Sequence, residues 1–340
     1  MRSHSLRRMF WSSYLAGLSA GLVIISPAEW KVHKYMLHTA KRDRTFLNRA
    51  SSHAHHDVHH AAFMGPEHYY RDVTNEHETI HFGFKDVLLI LGIGAGVGFA
   101  GHKAYDLTQG DIALNAGDAG AAAGLMTAAA FGYAGYEISH HYMHVIGERR
   151  LAINRTLGDL LQERRDGKLR FTKPLLDDIC NAVEQHVDEN ASGHIWPVRY
   201  DRSLEDRFTE QVERNRAMGN EINKISFADL ITEVASQMVD REQAVRAKLS
   251  TTGRVRYWLD RKVQRLFRGS DTWVGRYFRH IDNHHFLHHC NYTKNLNVFI
   301  TWADSAFGTK LDSSREALDT WHKKHLICPN SPDEEKFERT

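Results

Sequence analysis

Residues 119–144 read AGAAAGLMTAAAFGYAGYEISHHYMH. The part up to Tyr136 is apolar and close to the ~20 residues that a helix needs to cross a bilayer. Its polar end carries His140 and His144, and a spacing of four places both imidazoles on one face of a helix. The stretch therefore predicts a membrane-spanning helix that presents a pair of metal ligands at one membrane surface.

Two other apolar runs precede it, FWSSYLAGLSAGLVIISP at 10–27 and VLLILGIGAGVGFAG at 87–101. The first is also compatible with a cleaved signal peptide, because three arginines stand before it. No A-x-A-like cleavage site follows, and the histidines begin at His33, so a retained span is favoured. The second contains GVGFAG, a G-x-G-x-x-G match inside an apolar run. Its small residues, spaced as G-x-x-x-G at Gly92/Gly96 and Gly94/Gly98, indicate close helix packing in lipid better than nucleotide binding.

Charge predicts the orientation of these three spans. Seven lysines and arginines lie between Lys31 and Arg71, against three before the first run. The positive-inside rule then places residues 31–85 in the cytoplasm and the N-terminus outside. With three spans, every histidine-rich segment falls on the cytoplasmic side.

Composition narrows the function classes. The protein has 340 residues, 42% of them hydrophobic, and 44 basic residues against 42 acidic ones give a net charge of +2. That balance argues against nucleic acid as a partner. The three cysteines are far apart, which argues against a disulfide framework or a thiolate metal site and favours a reducing compartment.

Histidine is over-represented, with 24 residues. The candidate ligands fall into four groups with helical or near-helical spacing: H-x-x-x-x-H, H-x-x-H-H, H-x-x-x-H and a second H-x-x-H-H. A shuffled sequence would hold roughly 0.1 copies of H-x-x-H-H. The ten residues are His33, His38, His56, His59, His60, His140, His144, His285, His288 and His289.

Imidazole-rich sites without thiolates suit iron, copper or zinc. A structural zinc needs four ligands, so ten histidines favour two open, redox-capable ions. Glu137, one turn before His140, either orients an imidazole or is a charge at a helix end. The alternatives are a solvated histidine tract that binds zinc weakly and a metal transporter or sensor. A transporter should carry polar ligands within its spans, and these three hold neither histidine nor charge. Lesser candidates, expected to support the site or to lie in the core or on the surface, are His53, His55, His77, His81, His141, His280 and His284.

The segment 146–275 is different in character. Apolar residues recur at helical spacing in 151–165, 175–187 and 227–249, with charged opposite faces. The tract 188–206 is polar and contains Gly and Pro, which predicts a loop. Almost nothing in the sequence is typical of a strand. We therefore expect a transmembrane bundle with three histidine groups at 1–145, a soluble helical insertion at 146–275, the fourth group at 276–310 and a C-terminal tail at 311–340.

The order of the four motifs, together with the closing segment HHFLHHCNYTKNLNVFITWADSAFGT (284–309), resembles the fatty acid hydroxylase and sterol desaturase superfamily. Glu29 before the first group and Tyr136-Glu137 before the third also fit this resemblance. It implies an all-α integral membrane protein, in which a helical transmembrane bundle carries a cytoplasmic, histidine-rich di-metal cap. It further implies that the ten histidines bind two iron ions. The insertion of about 130 residues between the third and fourth groups departs from the expected pattern.

The function implied is O2-dependent hydroxylation, at a non-haem di-iron centre, of a C–H bond in a lipid or an acyl chain. Zinc is a possible substitute in purified protein. The sequence has no flavin or haem-binding segment of its own, so an external electron donor is implied, either a ferredoxin or a b-type cytochrome system. The alternative is a lipid desaturase or an aminolipid head-group hydroxylase that uses the same site.

Overall fold

The computed structural model describes residues 2–46, 48–60, 63, 84–110, 113–144, 148–162, 169–189, 198–268 and 272–314. The described residues form helices and no strand, and an isolated antiparallel bridge joins Gln162 and Ile222. The all-α prediction is thus confirmed. Most of the C-terminal tail, from residue 315, lies outside the described residues.

The protein divides into two compact units that interleave along the sequence. The first unit comprises 1–61, 75–141 and 291–311, and the second comprises 62–74, 142–290 and 312–340. The fourth histidine group therefore belongs to the same unit as the insertion, not to the unit that contains the apolar helices. The reason is that its helix packs against the preceding helix of the insertion.

The first unit contains α1 (Arg2–Val32), the single turn α2 (Arg49–Ser52), α3 (Phe84–Thr108), α4 (Ala116–His144, whose last turn passes into the second unit) and α11 (Trp302–Ala306). Small residues bring α3 and α4 together. A Cβ added at Gly98 would lie 2.6 Å from the Ala121 carbonyl oxygen, and one at Gly94 would lie 3.0 Å from Ala129 Cβ. Of the two predicted G-x-x-x-G pairs, Gly94/Gly98 faces α4, whereas a Cβ added at Gly92 or Gly96 would have no atom within 4 Å.

Two helical segments among the described residues are long and apolar enough to cross a membrane, Ser5–Leu37 and Val87–Thr108. Few of their residues are buried, and large side chains such as Leu15, Val23 and Leu89 are exposed. The third predicted span, 119–136, is helical within α4 but does not reach the same hydropathy. Alanine and glycine, which dominate it, are less apolar than the leucine, isoleucine and valine of the other two.

The segment after the fourth histidine group is fastened to the end of α1. The Asp304 carboxylate accepts hydrogen bonds from the backbone N–H groups of Leu296 (2.9 Å) and Asn297 (2.8 Å) and from the Thr309 hydroxyl (2.6 Å). The Trp30 indole N–H donates to the same hydroxyl at 2.8 Å. Gly308 has a φ of +69°, which favours glycine. The end of this segment, W-x-D-x-x-F-G-T at 302–309, therefore has a structural role, because Asp304 and Thr309 join the loop to α1.

The second unit contains α5 (Glu148–Leu161), α6 (Lys173–Glu189), α7 (Arg202–Ala217), α8 (Phe227–Lys248), α9 (Thr251–Arg268) and α10 (Trp273–Cys290). Its core holds Phe171, Ile179, Phe208 and Leu230, which are all buried. Both ends of the tract predicted as a loop, 188–206, are helical. Helix α6 continues to Glu189, and α7 begins at Arg202 because the Asp201 side chain caps it by accepting from the Ser203 N–H.

Ion pairs fix the helices of the second unit in place. Lys173 on α6 is buried and pairs with Asp282 on α10 and with Asp177. On α8, the buried Glu242 accepts from Arg149 at 2.7 Å and from the Tyr257 hydroxyl at 2.7 Å. The Lys173–Asp282 ion pair stabilises the packing of α10, the helix of the fourth histidine group. Breaking a buried ion pair would leave an uncompensated charge.

Candidate metal centre

In the first unit the backbone leaves α-helical geometry where the histidines begin. Residues His33–Leu37 form a π-helical turn, and the His38 N–H donates to the His33 carbonyl oxygen at 3.1 Å. This i→i+5 bond brings residues five apart onto one face. The rings of His33 and His38 stack accordingly, with centroids 5.0 Å apart and planes 10° from parallel.

The second histidine-rich segment is also π-helical. Residues His53–His59 are π-helical, and the His60 N–H donates to the His55 carbonyl oxygen. His55 and His60 therefore share a face, with their Nε2 atoms 3.1 Å apart. The Nε2 atom of His55 also lies 2.9 Å from that of His33.

These two π-helical segments assemble a four-histidine group in the first unit. One ring nitrogen from each member lies within 4.8 Å of the others. Three of the rings are buried, and His38 is half-buried. Burial, followed by the charges of the neighbouring imidazoles, holds the pKa of His55 well below its usual value. A neutral imidazole keeps the lone pair that binds a metal. The group consists of His33, His38, His55 and His60.

His56, which the α-helical spacing selected, lies outside this group. Its side chain is exposed, and its Nδ1 atom is 3.3 Å from the Asp57 carboxylate. The Asp57 carboxylate also takes a two-point contact from the Arg44 guanidinium, at 2.6 and 2.9 Å. Hydrogen bonding to Arg44 holds the pKa of Asp57 far below its usual range, so Asp57 is charged and clamps the segment. The sequence signal that distinguishes His55 is its spacing of five from His60, matching that of His33 and His38.

A histidine pair adjoins the group within the first unit. His59 and His140 are buried, and their ring centroids are 4.6 Å apart. The ring of Tyr136 stacks on His140, with centroids 5.4 Å apart and planes 16° from parallel. Tyr136 thus fixes the orientation of a predicted ligand. Glu137, on the next position, is half-buried.

The second unit has a three-histidine group with similar distances. His285 Nε2 lies 2.9 Å from His144 Nε2 and 3.1 Å from His289 Nε2. The Nδ1 atom of His289 is 3.0 Å from the Phe63 carbonyl oxygen. If Nδ1–H donates to that carbonyl, Nε2 keeps its lone pair toward the group. All three histidines are buried.

The remaining residue of the fourth motif, His288, is buried on the same helix, with its ring centroid 5.7 Å from that of His285. It is not part of the three-histidine group of the second unit. Two positions further on, burial raises the pKa of the Cys290 thiol to about 12. That thiol is protonated at neutral pH and is a poor ligand. The lesser candidates His77 and His81 lie outside the described residues.

The nitrogen–nitrogen distances fit a shared cation. A hydrogen bond between two imidazole nitrogens uses one N–H group and one lone pair. Where three such nitrogens converge, two of them are left with a lone pair facing a lone pair. Ligands about 2.1 Å from one ion are about 3.0 Å apart when they meet at a right angle and about 3.4 Å apart in a tetrahedron. The observed Nε2–Nε2 distances of 2.9–3.1 Å in both units are short enough for two ring nitrogens to bind the same ion. The histidine groups can therefore hold metal ions.

A different cluster lies at the far end of α3. His102 Nδ1 is 3.1 Å from the Asp118 carboxylate, and its Nε2 is 3.0 Å from the Ser13 hydroxyl. The Lys103 ammonium lies 3.4 Å from Asp118 and 3.6 Å from Asp106. Because Lys103 already pairs with both carboxylates, this cluster joins helix ends and is a weaker metal site.

No family model, no curated protein and no solved structure matches this sequence. The interpretation of the histidine groups therefore depends on their geometry and on the sequence motifs.

Proposed function

We propose that this protein is a membrane-bound non-haem di-iron monooxygenase that hydroxylates a C–H bond of a lipid or acyl chain. The observation that carries the proposal is the same in each unit: the Nε2 atom of a central buried histidine lies 2.9 and 3.1 Å from those of two other buried histidines. Nitrogen-rich, sulfur-free sites suit iron, copper or zinc, and the number of histidines favours two open, redox-capable ions over a four-ligand structural zinc.

Each group would hold one iron. In the first unit the ligands are the four-histidine group, and in the second they are His144, His285 and His289. His59 and His140 offer further nitrogens, and His140 lies one turn from His144 on α4. Bound iron supplies the activation of O2 and the removal of a hydrogen atom from an unactivated carbon. The histidines keep the ions in place, and burial excludes water from them.

A cavity supports a lipid substrate. It measures about 280 Å³ and lies within the first unit between α1, α3 and α4. Its walls are apolar, with Ile25, Ile93 and Leu125 among them, and His33 lines it beside Glu29 and Tyr136. The Glu29 carboxylate accepts from the backbone N–H groups of Val298 and Phe299, so it serves the fold. An acyl chain in this cavity would end beside a ligand of the first iron.

The membrane location is supported by the exposed apolar surface of α1 and α3, because soluble proteins rarely expose so much contiguous apolar area. We propose three spans, with the N-terminus outside and the histidines cytoplasmic. Reporters fused after Gly65 and at the C-terminus should then read as cytoplasmic, and one fused after Asp111 as outside. If the reporters at 65 and 111 give the same side, the three-span topology is wrong.

Hydroxylation needs two electrons and two protons for each O2, with one oxygen atom entering the product and the other leaving as water. We propose a separate ferredoxin or b-type cytochrome system as the electron donor. Desaturation or head-group hydroxylation at the same site is the alternative. Both begin with the same hydrogen abstraction, so only the product separates them.

Two measurements test the proposal. Protein prepared anaerobically with iron should contain about two iron atoms per molecule, and X-ray absorption should find nitrogen and oxygen neighbours. A sulfur shell, or a single tetrahedral zinc that iron cannot replace, contradicts it. Lipid mass spectrometry of cells with and without the gene should then reveal a lipid that gains one oxygen. Loss of two hydrogens instead identifies a desaturase, and unchanged lipids with an iron-free protein contradict oxygenase chemistry.

A further inference from the structure

Helix α9, Thr251–Arg268, presents two different faces. One face packs into the second unit. On it, Arg261 and Tyr257 donate to the Glu242 carboxylate at 2.8 and 2.7 Å, and Gln264 and Phe267 are buried. These contacts determine which way the helix faces.

The opposite face is apolar and exposed. Its large side chains follow at intervals of three, one and seven residues, which places them in one stripe along the helix. Between 37% and 55% of each side chain is exposed. The stripe consists of Val255, Trp258, Leu259 and Leu266.

Cations border and interrupt this stripe. Lys262 lies within it, with its ammonium 5.6 Å from the centre of the Trp258 ring. By helical position, Arg254 and Arg265 lie along one edge of the stripe, and both are exposed, while Arg265 also lies 3.3 Å from the Asp188 carboxylate. The whole helix carries six lysines and arginines against one aspartate. Exposed tryptophan and leucine with flanking cations are the features of a helix that lies in the headgroup layer of a membrane.

We propose that α9 is an interfacial helix that inserts Val255, Trp258, Leu259 and Leu266 into the surface of an anionic lipid membrane. The cations then contact lipid phosphates and carboxylates, and Trp258 takes the headgroup level that tryptophan prefers. Charge complementarity favours this occupant over a second copy of the protein, because two such helices would bring their cations together. The surface serves to hold the second unit on the bilayer and does not depend on the chemistry at the histidines.

The test is a depth measurement on the full-length protein in vesicles. A nitroxide is attached at Leu259→Cys, and its collisions with O2 and with a water-soluble nickel chelate are compared. Met218→Cys on the second unit is the matched control, since Met218 and Leu259 are each 51% exposed. Labels are placed in a background where Cys180, Cys290 and Cys328 are serine, once that background is shown to fold as the parent does.

In phosphatidylcholine vesicles that contain phosphatidylglycerol, the label at 259 should favour O2 and the label at 218 should favour the nickel chelate. Replacing Arg254 and Lys262 by glutamine should lower the ratio of inserted to water-exposed helix about fivefold for each cation, or about twenty-five-fold together. Vesicles of phosphatidylcholine alone should show a smaller inserted fraction.

Three results would overturn the proposal. The first is a label at 259 as accessible to the nickel chelate as the label at 218. The second is protection that appears only when an acidic redox protein is added, which would make α9 a protein docking surface. The third is protection accompanied by spin–spin broadening between labels, which would make it a contact between copies.

Discussion

His55 and His60 lie five residues apart, and their Nε2 atoms approach to 3.1 Å because the backbone between them is π-helical. In an α-helix, residues five apart point in different directions, whereas residues three and four apart align. The widened turn therefore changes which nitrogens of the histidine-rich segment meet. It brings His55, and not the predicted ligand His56, beside His33 and His60.

The first prediction compares these two adjacent histidines. His55→Ala should remove one iron per molecule and abolish product formation, because it deletes the central nitrogen of the first group. Loss of a supporting residue typically costs ~10–100-fold, so loss of a ligand should cost more. His56→Ala should keep both irons and activity within a few-fold. Iron content and turnover are measured on both variants at equal membrane levels. If His56→Ala loses iron and activity while His55→Ala keeps both, the α-helical spacing predicted the correct ligand.

The second prediction concerns the second group. His285→Ala should also leave one iron per molecule, because His285 lies between His144 and His289. His280→Ala is the control on the same helix, since His280 contacts the Ser313 hydroxyl instead. The spectrum of the iron that remains should differ between the His55 and His285 variants. Identical residual iron in both variants would show that the two groups do not form separate sites.

The third prediction addresses the acyl cavity. Ala129 lines it, whereas its neighbour Ala130 is exposed. Ala129→Phe should shorten the longest acyl chain that is hydroxylated, because the added ring fills part of the 280 Å³. Ala130→Phe should leave chain-length preference unchanged. The measurement is the product distribution from a mixed-length lipid pool. An unchanged distribution in the Ala129 variant would place the substrate elsewhere.

The fourth prediction is a pH dependence of stability in the second unit. Burial alone would raise the pKa of Glu242, but hydrogen bonds and charge from Arg149, with Tyr257 and Arg246, lower it below its ordinary value of 4.5. A lowered folded-state pKa means that Glu242 stabilises the fold fully above the unfolded pKa. That stabilisation is lost as the pH falls through the folded pKa.

Glu242→Gln should therefore destabilise the second unit by about 3 kcal/mol at neutral pH, and the difference from the parent should shrink in acid. Glu233→Gln on the same helix is the control, because Glu233 is exposed. Chemical unfolding from pH 7 down to acid measures both. A constant difference between the Glu242 variant and the parent across this range would show that its charge is not the stabilising feature.

Much of the molecule follows from local sequence. Helical periodicity predicted the all-α architecture, and the G-x-x-x-G spacing predicted close helix packing, for which the structure identifies α4 as the partner of α3. Helices α7 and α9 were not predicted. Helix α7 begins inside a polar tract that predicts a loop. Helix α9 has its apolar face toward solvent instead of the core.

The sequence by itself determined that histidines would supply the candidate ligands, because their number and spacing exceed what composition gives. Only the tertiary structure decided which histidines meet. Backbone hydrogen bonds of the i→i+5 type form in His33–Leu37, directly after α1, and again in His53–His59. The spacing of side chains along the sequence does not show where this pattern replaces the α-helical one. The tertiary structure likewise decided that the fourth histidine group packs with the insertion, because the Lys173–Asp282 ion pair joins residues more than a hundred positions apart.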